Sequence, residues 1–317
     1  MLFQENFLKM SRIFRFFLSV LSGIFLSLPW LGFPGWILFV ALVPLFLLQQ
    51  FFLDHESEYG SLAYWGYSLL SFLIWNGLCT WWITYATLAG ALMAIIVNSF
   101  LMSIVWWLGH LARLKLRSVS GYLAVIVFWI SFEFFHFHWD IEWPWLTMGN
   151  GFANNVKIIQ WYEYTGVLGG TLWVLIINVL IHKLLTFYSG SIPLFILLKR
   201  GIVLIIFLVI PLMVSFVIYY NYYEKEDTLN VVIVQPNINP YSEAWDSRAE
   251  MDKLKKFLIQ ADKKTDHNTD LVVGPESVFE RYDEWEHRRL PVNFFYIRMK
   301  DWMMNYQETE LIFGAST

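Results

Sequence analysis

Seven apolar stretches, at residues 12–29, 35–53, 62–83, 88–109, 119–137, 164–184 and 201–220, punctuate the first two thirds of the chain. Each is close to the ~20 residues a helix needs to cross a bilayer. Hydrocarbon offers the backbone no hydrogen-bond partner, so such stretches fold as helices. Composition agrees: 57% of the 317 residues are hydrophobic and 15% are charged, against about 25% charged in a soluble domain. One soluble domain is excluded. The first stretch lacks a small-residue cleavage site and a second stretch follows at once, so it reads as a span and not as a signal peptide.

Lysine and arginine set the expected orientation. Lys9, Arg12 and Arg15 flank the start of the first span, Arg113, Lys115 and Arg117 follow the fourth, and Lys183, Lys199 and Arg200 lie between the sixth and seventh. All fall on one side if the N-terminus is cytoplasmic, and Lys157 is the cation of the opposite loops. The acidic loop at 54–58 weighs little, because acidic residues hardly affect orientation. Seven crossings then place everything after Tyr220 outside the cytoplasm. The net charge is −4 and no basic tract is present, which excludes a nucleic-acid partner. The single cysteine, Cys79, lies in an apolar run; it allows no internal disulfide and no CxxC site.

Composition shifts at the charged linker EKED, residues 224–227, which divides a membrane domain (1–223) from a soluble one (224–317). LNVVIVQ (229–235), LVVG (271–274) and ELIFG (310–314) read as strands. Met251, Leu254, Leu258 and Ala261 recur at helical spacing, and 291–306 suggests a second helix opened by Pro291. The alternation is that of an α/β sheet, thin for such a fold and closing directly after a strand.

Four residues are candidates for chemistry. Glu276, in LVVGPESVF (271–279), follows a strand end, where open α/β sheets hold their ligands; it is a general base or a solvated loop carboxylate. Trp245, in QPNINPYSEAWD (235–246), covers a substrate, lies on the membrane surface, or anchors a helix start capped by Asp246 or Ser247. Glu133 sits inside a span, where a carboxylate is costly and either works or braces a neighbouring helix. Trp145, with Trp139 and Trp143, fits an interfacial aromatic belt. His136, His138, Asp140 and Glu142 cluster nearby, but positions i and i+2 of a helix face different ways, so no metal site is expected.

Taken in order, FEF and WPWLTMGN within the spans, then NVVIVQPNINPYSEAWD, LVVGPES and LIFGAS, resemble the apolipoprotein N-acyltransferases. The resemblance covers nearly the whole chain. It implies a multi-span α-helical membrane bundle followed by part of an extracytoplasmic nitrilase-like domain, an α-β-β-α sandwich. It implies an enzyme of the cytoplasmic (inner) membrane, its soluble domain on the periplasmic side and no cofactor. Such enzymes move an acyl chain from a phospholipid donor onto a cysteine, as a thioester, and then to the N-terminal amine of a diacylglyceryl apolipoprotein. The implied triad is Glu, Lys and Cys. Glu276 matches the glutamate and Trp245 the active loop tryptophan, with Glu133 and Trp145 as substrate-binding candidates at a lipid entrance. The family often has Trp where Gly274 stands. Its Lys and Cys fall beyond Thr317, as does its last membrane helix, since Lys300 is too close to Glu276 and Cys79 precedes the domain. The chain is thus expected to be a truncated, split or partial member, inactive alone. The alternatives are a catalytically dead module that binds lipid or a partner and, last, a transporter, for which Glu133 is the only clear intramembrane acid.

Overall fold

The computed structural model describes residues 10–116, 119–188, 194–226, 228–237, 247–276 and 288–314. It divides into two compact units, Met1–Tyr222 and Tyr223–Thr317, one residue from the composition shift.

The first unit is helical. Helix α1, Arg12–Ser27, opens with the Ser11 side chain accepting from Phe14 N at 3.2 Å. It closes through a 3-10 turn, Leu28–Leu31, that ends on Gly32 at φ 92, a conformation glycine reaches without strain. The next crossing is broken. A 3-10 turn, Gly35–Ile37, leads to α2, Leu38–Ala41, and then α3, Val43–Asp54, which starts on a Val-Pro pair. Pro44 has no N–H for Val40 O, and the break between α2 and α3 also parts Leu42 N from its helical partner Leu38 O. Asn178 bridges that pair: its Oδ1 accepts from Leu42 N at 2.8 Å and its Nδ2 donates to Leu38 O at 2.7 Å.

The remaining helices are α4, Ser61–Thr80; α5, Leu88–Leu116; α6, Val119–His136; α7, Tyr162–Tyr188; and α8, Leu194–Asn221. Helix α7 kinks at Gly166, whose φ of 64 and ψ of −175 are not helical. Among the described residues, six helical segments are long and apolar enough to cross a membrane. The chain is therefore a multi-pass membrane protein. The stretch expected at 62–83, now α4, is not one of the six. Its serines, Asn76 and Thr80 dilute its hydropathy, yet it runs antiparallel to α5 over its full length. Trp107 Nε1 donates to Ser61 O at 3.2 Å, Trp65 Nε1 to Ser103 Oγ at 3.0 Å and Asn98 Nδ2 to Asn76 Oδ1 at 2.7 Å.

This packing gives the bundle two unlike ends. Arg15, Arg113 and Lys183 share one with Asp54, Tyr59 and His110, linked by ring and charge contacts. Trp30, Trp82, Trp143, Trp145 and Trp161 gather at the other.

The second unit carries β1, Val231–Ile233; α9, Ser247–Asp262; β2, Leu271–Val273; α10, Phe294–Met303; and β3, Glu310–Ile312. Pro291 opens a 3-10 turn, Leu290–Val292, and Asn293 caps α10 by accepting from Tyr296 N at 3.0 Å; the helix is shorter than its expected 291–306. The strands form a parallel sheet in the order β1-β2-β3. Val232, Val272 and Leu311 stand in register across it. They pack with Leu254, Phe257 and Ala261 of α9 and Met299 of α10, so both helices cover one face, as right-handed crossovers that step in one direction require. On the other face Ile233 is 78% exposed and Ile312 55%.

Candidate functional site

Glu276 lies at the carboxyl end of β2, the central strand. Two backbone bonds tie this turn to the end of β3: Gly274 N donates to Ile312 O at 2.7 Å, and Gly314 N to Pro275 O at 3.2 Å. A Cβ on residue 314 would overlap the Glu276 backbone, so the glycine permits the close approach that fixes the turn. The Glu276 side chain is exposed. It therefore stands accessible where an open parallel sheet presents ligands. Gly274 has a local reason: a Cβ there would meet the ring of Phe257 at 2.7 Å, and Phe257 is fully buried. Trp245 and Asp246 lie outside the described residues. Lys300 is exposed on α10. Cys79 is half-buried in the bundle, with Sγ directed at Ser27 O, 3.7 Å away.

The bundle contains the second constellation. Glu133, on α6, is 3% exposed and accepts from three groups on three segments. Trp129 Nε1 and Met148 N donate to Oε1 at 2.8 and 3.0 Å, and Thr171 Oγ1 donates to Oε2 at 2.6 Å. Thr171 Oγ1 in turn accepts from Gly149 N at 3.1 Å, while Tyr162 donates to Gly149 O at 3.1 Å. A buried carboxylate needs such donors. Here they pin the 137–161 connection, which folds back as three 3-10 turns, Pro144–Leu146, Met148–Phe152 and Val156–Ile158. Gly149 is the point of closest approach: a Cβ there would overlap the Val167 carbonyl oxygen.

Above Glu133 the same connection presents Trp145, 56% exposed. Its ring meets that of Trp82 edge-on at 5.8 Å, and Trp30 Nε1 donates to its carbonyl at 2.9 Å. Glu133 and Trp145 are thus parts of one aromatic cap on the bundle. His136 is buried between Phe132 and Trp139, whereas His138 is exposed and turned to Phe134 O at 2.7 Å. Among the described residues no three or more His, Cys, Asp or Glu side chains converge as a metal site would require. Sequence reasoning missed Trp129 and Thr171. Trp129 had a local signal, one helical turn before Glu133; Thr171, a polar residue in an apolar span beside Gly169 and Gly170, had a weaker one.

The sequence resembles known proteins. The chain is 28% identical over 311 residues to the apolipoprotein N-acyltransferase of Chlorobaculum tepidum, covering 94% of this chain and 55% of that one. It is 21% identical over 291 residues to the apolipoprotein N-acyltransferase of Geobacter metallireducens, covering 86% and 53%. The chain spans about half the length of these curated relatives. A family profile described as the apolipoprotein N-acyltransferase N-terminal domain matches residues 22–180, just over half of the chain and the segment that holds Glu133, Trp145 and Thr171. On that match, the chain belongs to the apolipoprotein N-acyltransferase family.

Proposed function

We propose that this chain works in the N-acylation of lipoproteins, with Glu276 as general base. The observation that carries the reading is the place of Glu276, at the carboxyl end of the central strand, in a chain whose bundle matches the family. In the first half-reaction Glu276 takes the proton of a cysteine thiol. The thiolate attacks an ester carbonyl of a phospholipid, a thioester forms and a lysophospholipid leaves. In the second half-reaction Glu276 takes a proton from the N-terminal amine of a diacylglyceryl apolipoprotein. The amine attacks the thioester, an amide forms and the thiol is regained. A lysine stabilises the oxyanion in both steps. The reading assigns that lysine and that thiol to residues other than the 317 here.

Trp245 covers the substrate, and Trp145 marks the lipid entrance, in this reading. Glu133 serves by holding the Trp145 connection in place, because its oxygens are already engaged by protein donors. The soluble unit is assigned to the periplasmic side of the inner membrane, a placement supported by the lysine and arginine bias of the loops, whose cations gather at one end of the bundle. A nitrilase-like sandwich is supported by the exposed Ile233 and Ile312 on the second face of the sheet, since parallel sheets are covered on both faces.

A second reading is a lipid- or partner-binding module without turnover: within these 317 residues the cysteine, Cys79, is half-buried in the bundle with Sγ directed at Ser27 O. Labelled phospholipid separates the two. The 317-residue chain is expected to form no hydroxylamine-sensitive adduct and to acylate no lipoprotein. A chain completed with the C-terminal half of the Chlorobaculum relative is expected to do both. In that chain Glu276→Gln keeps the shape but cannot take a proton, so turnover should fall about 10²–10⁴-fold. A fall under tenfold removes Glu276 from the role, an adduct on Cys79 refutes the mechanism, and inactivity of every completed chain favours the second reading.

A further inference from the structure

The basic end of the bundle holds positive charge set among neutral partners. Arg113, near the end of α5, is 5% exposed. Its Nη1 donates to Gln49 Oε1 at 2.5 Å and its Nη2 to Gln50 Oε1 at 3.1 Å. Its guanidinium carbon lies 3.9 Å from the centroid of the Tyr122 ring. Lys183, from α7, reaches the same ring, its ammonium 4.8 Å from the centroid. Two cations from different helices thus converge on one aromatic side chain, and Arg200 of α8 is within Coulombic reach of Lys183. Asp54, the carboxylate in the field of Arg113, is exposed and takes the Gln50 amide at 2.8 Å.

Buried groups beside these cations lack acceptors. Gln49 is fully buried and its Nε2 has no partner. His182 is fully buried, stacks 5.6 Å from Phe46, lies 5.9 Å from Tyr122, and has both ring nitrogens unpaired. A neutral imidazole carries one N–H donor in either tautomer, and an unpaired buried donor costs about 1–3 kcal/mol. Arg113 and Lys183, which share the Tyr122 ring, and the unanswered donors of Gln49 and His182 are all of the kind that the oxygens of an anion accept from. Exposed apolar side chains on the same helices, Leu116, Val119 and Leu185, flank the cluster where acyl chains would lie.

We propose that Arg113, Lys183, Gln49 and His182, around Tyr122, form a binding site for the phosphate of an anionic membrane lipid. Basic pockets between membrane helices hold such headgroups at one leaflet. The site is separate from the aromatic cap: Tyr122 and Glu133 are eleven residues apart on α6, roughly 16 Å along the helix. A lipid bound there ties α3, α5, α6 and α7 together and takes no part in acyl transfer.

Native mass spectrometry of the full chain tests this, after detergent exchange with equal amounts of phosphatidylglycerol and phosphatidylcholine. Phosphatidylglycerol should be retained in about fivefold excess for each cation engaged. The excess should shrink in Lys183→Gln, which keeps the helix, and vanish in Arg113→Gln/Lys183→Gln. Lys157→Ala, at the opposite end, should leave it unchanged. Equal retention of the two lipids overturns the proposal, as does a full excess in Lys183→Gln. Complete displacement by millimolar inorganic phosphate also overturns it, because the site then holds a free anion and not a lipid.

Discussion

Helix α8 and the sheet of the soluble unit both expose rows of large apolar side chains, and the two exposures have opposite meanings. On α8, Ile202 is 57% exposed, Ile205 59% and Val217 60%, and only 6% of the helix's most apolar window is buried. A helix apolar all round belongs in hydrocarbon, so these side chains already face their solvent. On the sheet the alternation is strict: Val232, Val272 and Leu311 face the helices while Ile233 and Ile312 face away. Alternation with both faces apolar is the pattern of a sheet covered twice. Exposure carries information only when set against the medium that surrounds it.

Four measurements break or sharpen this contrast. The largest effect is expected for Phe257→Ala. Phe257 is fully buried in the small core under the sheet, and such truncations cost about 3–5 kcal/mol. That is enough to unfold a marginal unit, so limited proteolysis should degrade residues 223–317 and leave the helices intact. Loss of both together would show that the units are not independent. Next is Glu133→Ala in the bundle. It leaves Trp129 Nε1, Met148 N and Thr171 Oγ1 without their acceptor, at about 1–3 kcal/mol for a stranded buried group. A lower thermal midpoint in detergent should follow, with Glu133→Gln in between; an unchanged midpoint would remove the bracing role.

A smaller effect concerns Tyr306, which donates to Asp262 at 2.7 Å. That bond, more than desolvation, holds the phenol above its ordinary range. The sign follows from linkage: a raised pKa stabilises the fold while the phenol is protonated, and the contribution is lost as pH rises through the folded value. Alkaline difference absorbance should show Tyr306 titrating late, and Asp262→Asn should bring it earlier. The smallest effect is expected for Ile233→Ser in the 317-residue chain, within about 0.5 kcal/mol. A clear loss of stability would mean that this face is already covered.

Six of the seven expected spans were legible because length and hydropathy are local, and the strands because their apolar runs end in Gly or Pro. The same local signals placed Glu276 just after β2. The partners of Glu133 were not legible. Trp129 is one turn away, but Met148 and Thr171 arrive only when the 137–161 connection folds back, a non-local event. The Gly166 kink was hidden for a similar reason, since a glycine in an apolar run does not announce its φ. The break between α2 and α3 was also missed, because Asn178, which makes it tolerable, lies far along the chain.

The polar seam of α4 bears on how the protein is made. Ser68, Ser71, Asn76 and Thr80 are buried on α4, and Asn76 meets Asn98 of α5. As this segment leaves the ribosome, α5 is not yet present, and polar groups alone in hydrocarbon are costly. The two helices therefore have reason to enter the bilayer as a pair, with α4 waiting at the insertion machinery until Asn98 emerges. If α4 crosses with α5, leaving it out would reverse the parity of every later crossing, so the direction of the helices that follow would hang on a segment rich in polar side chains.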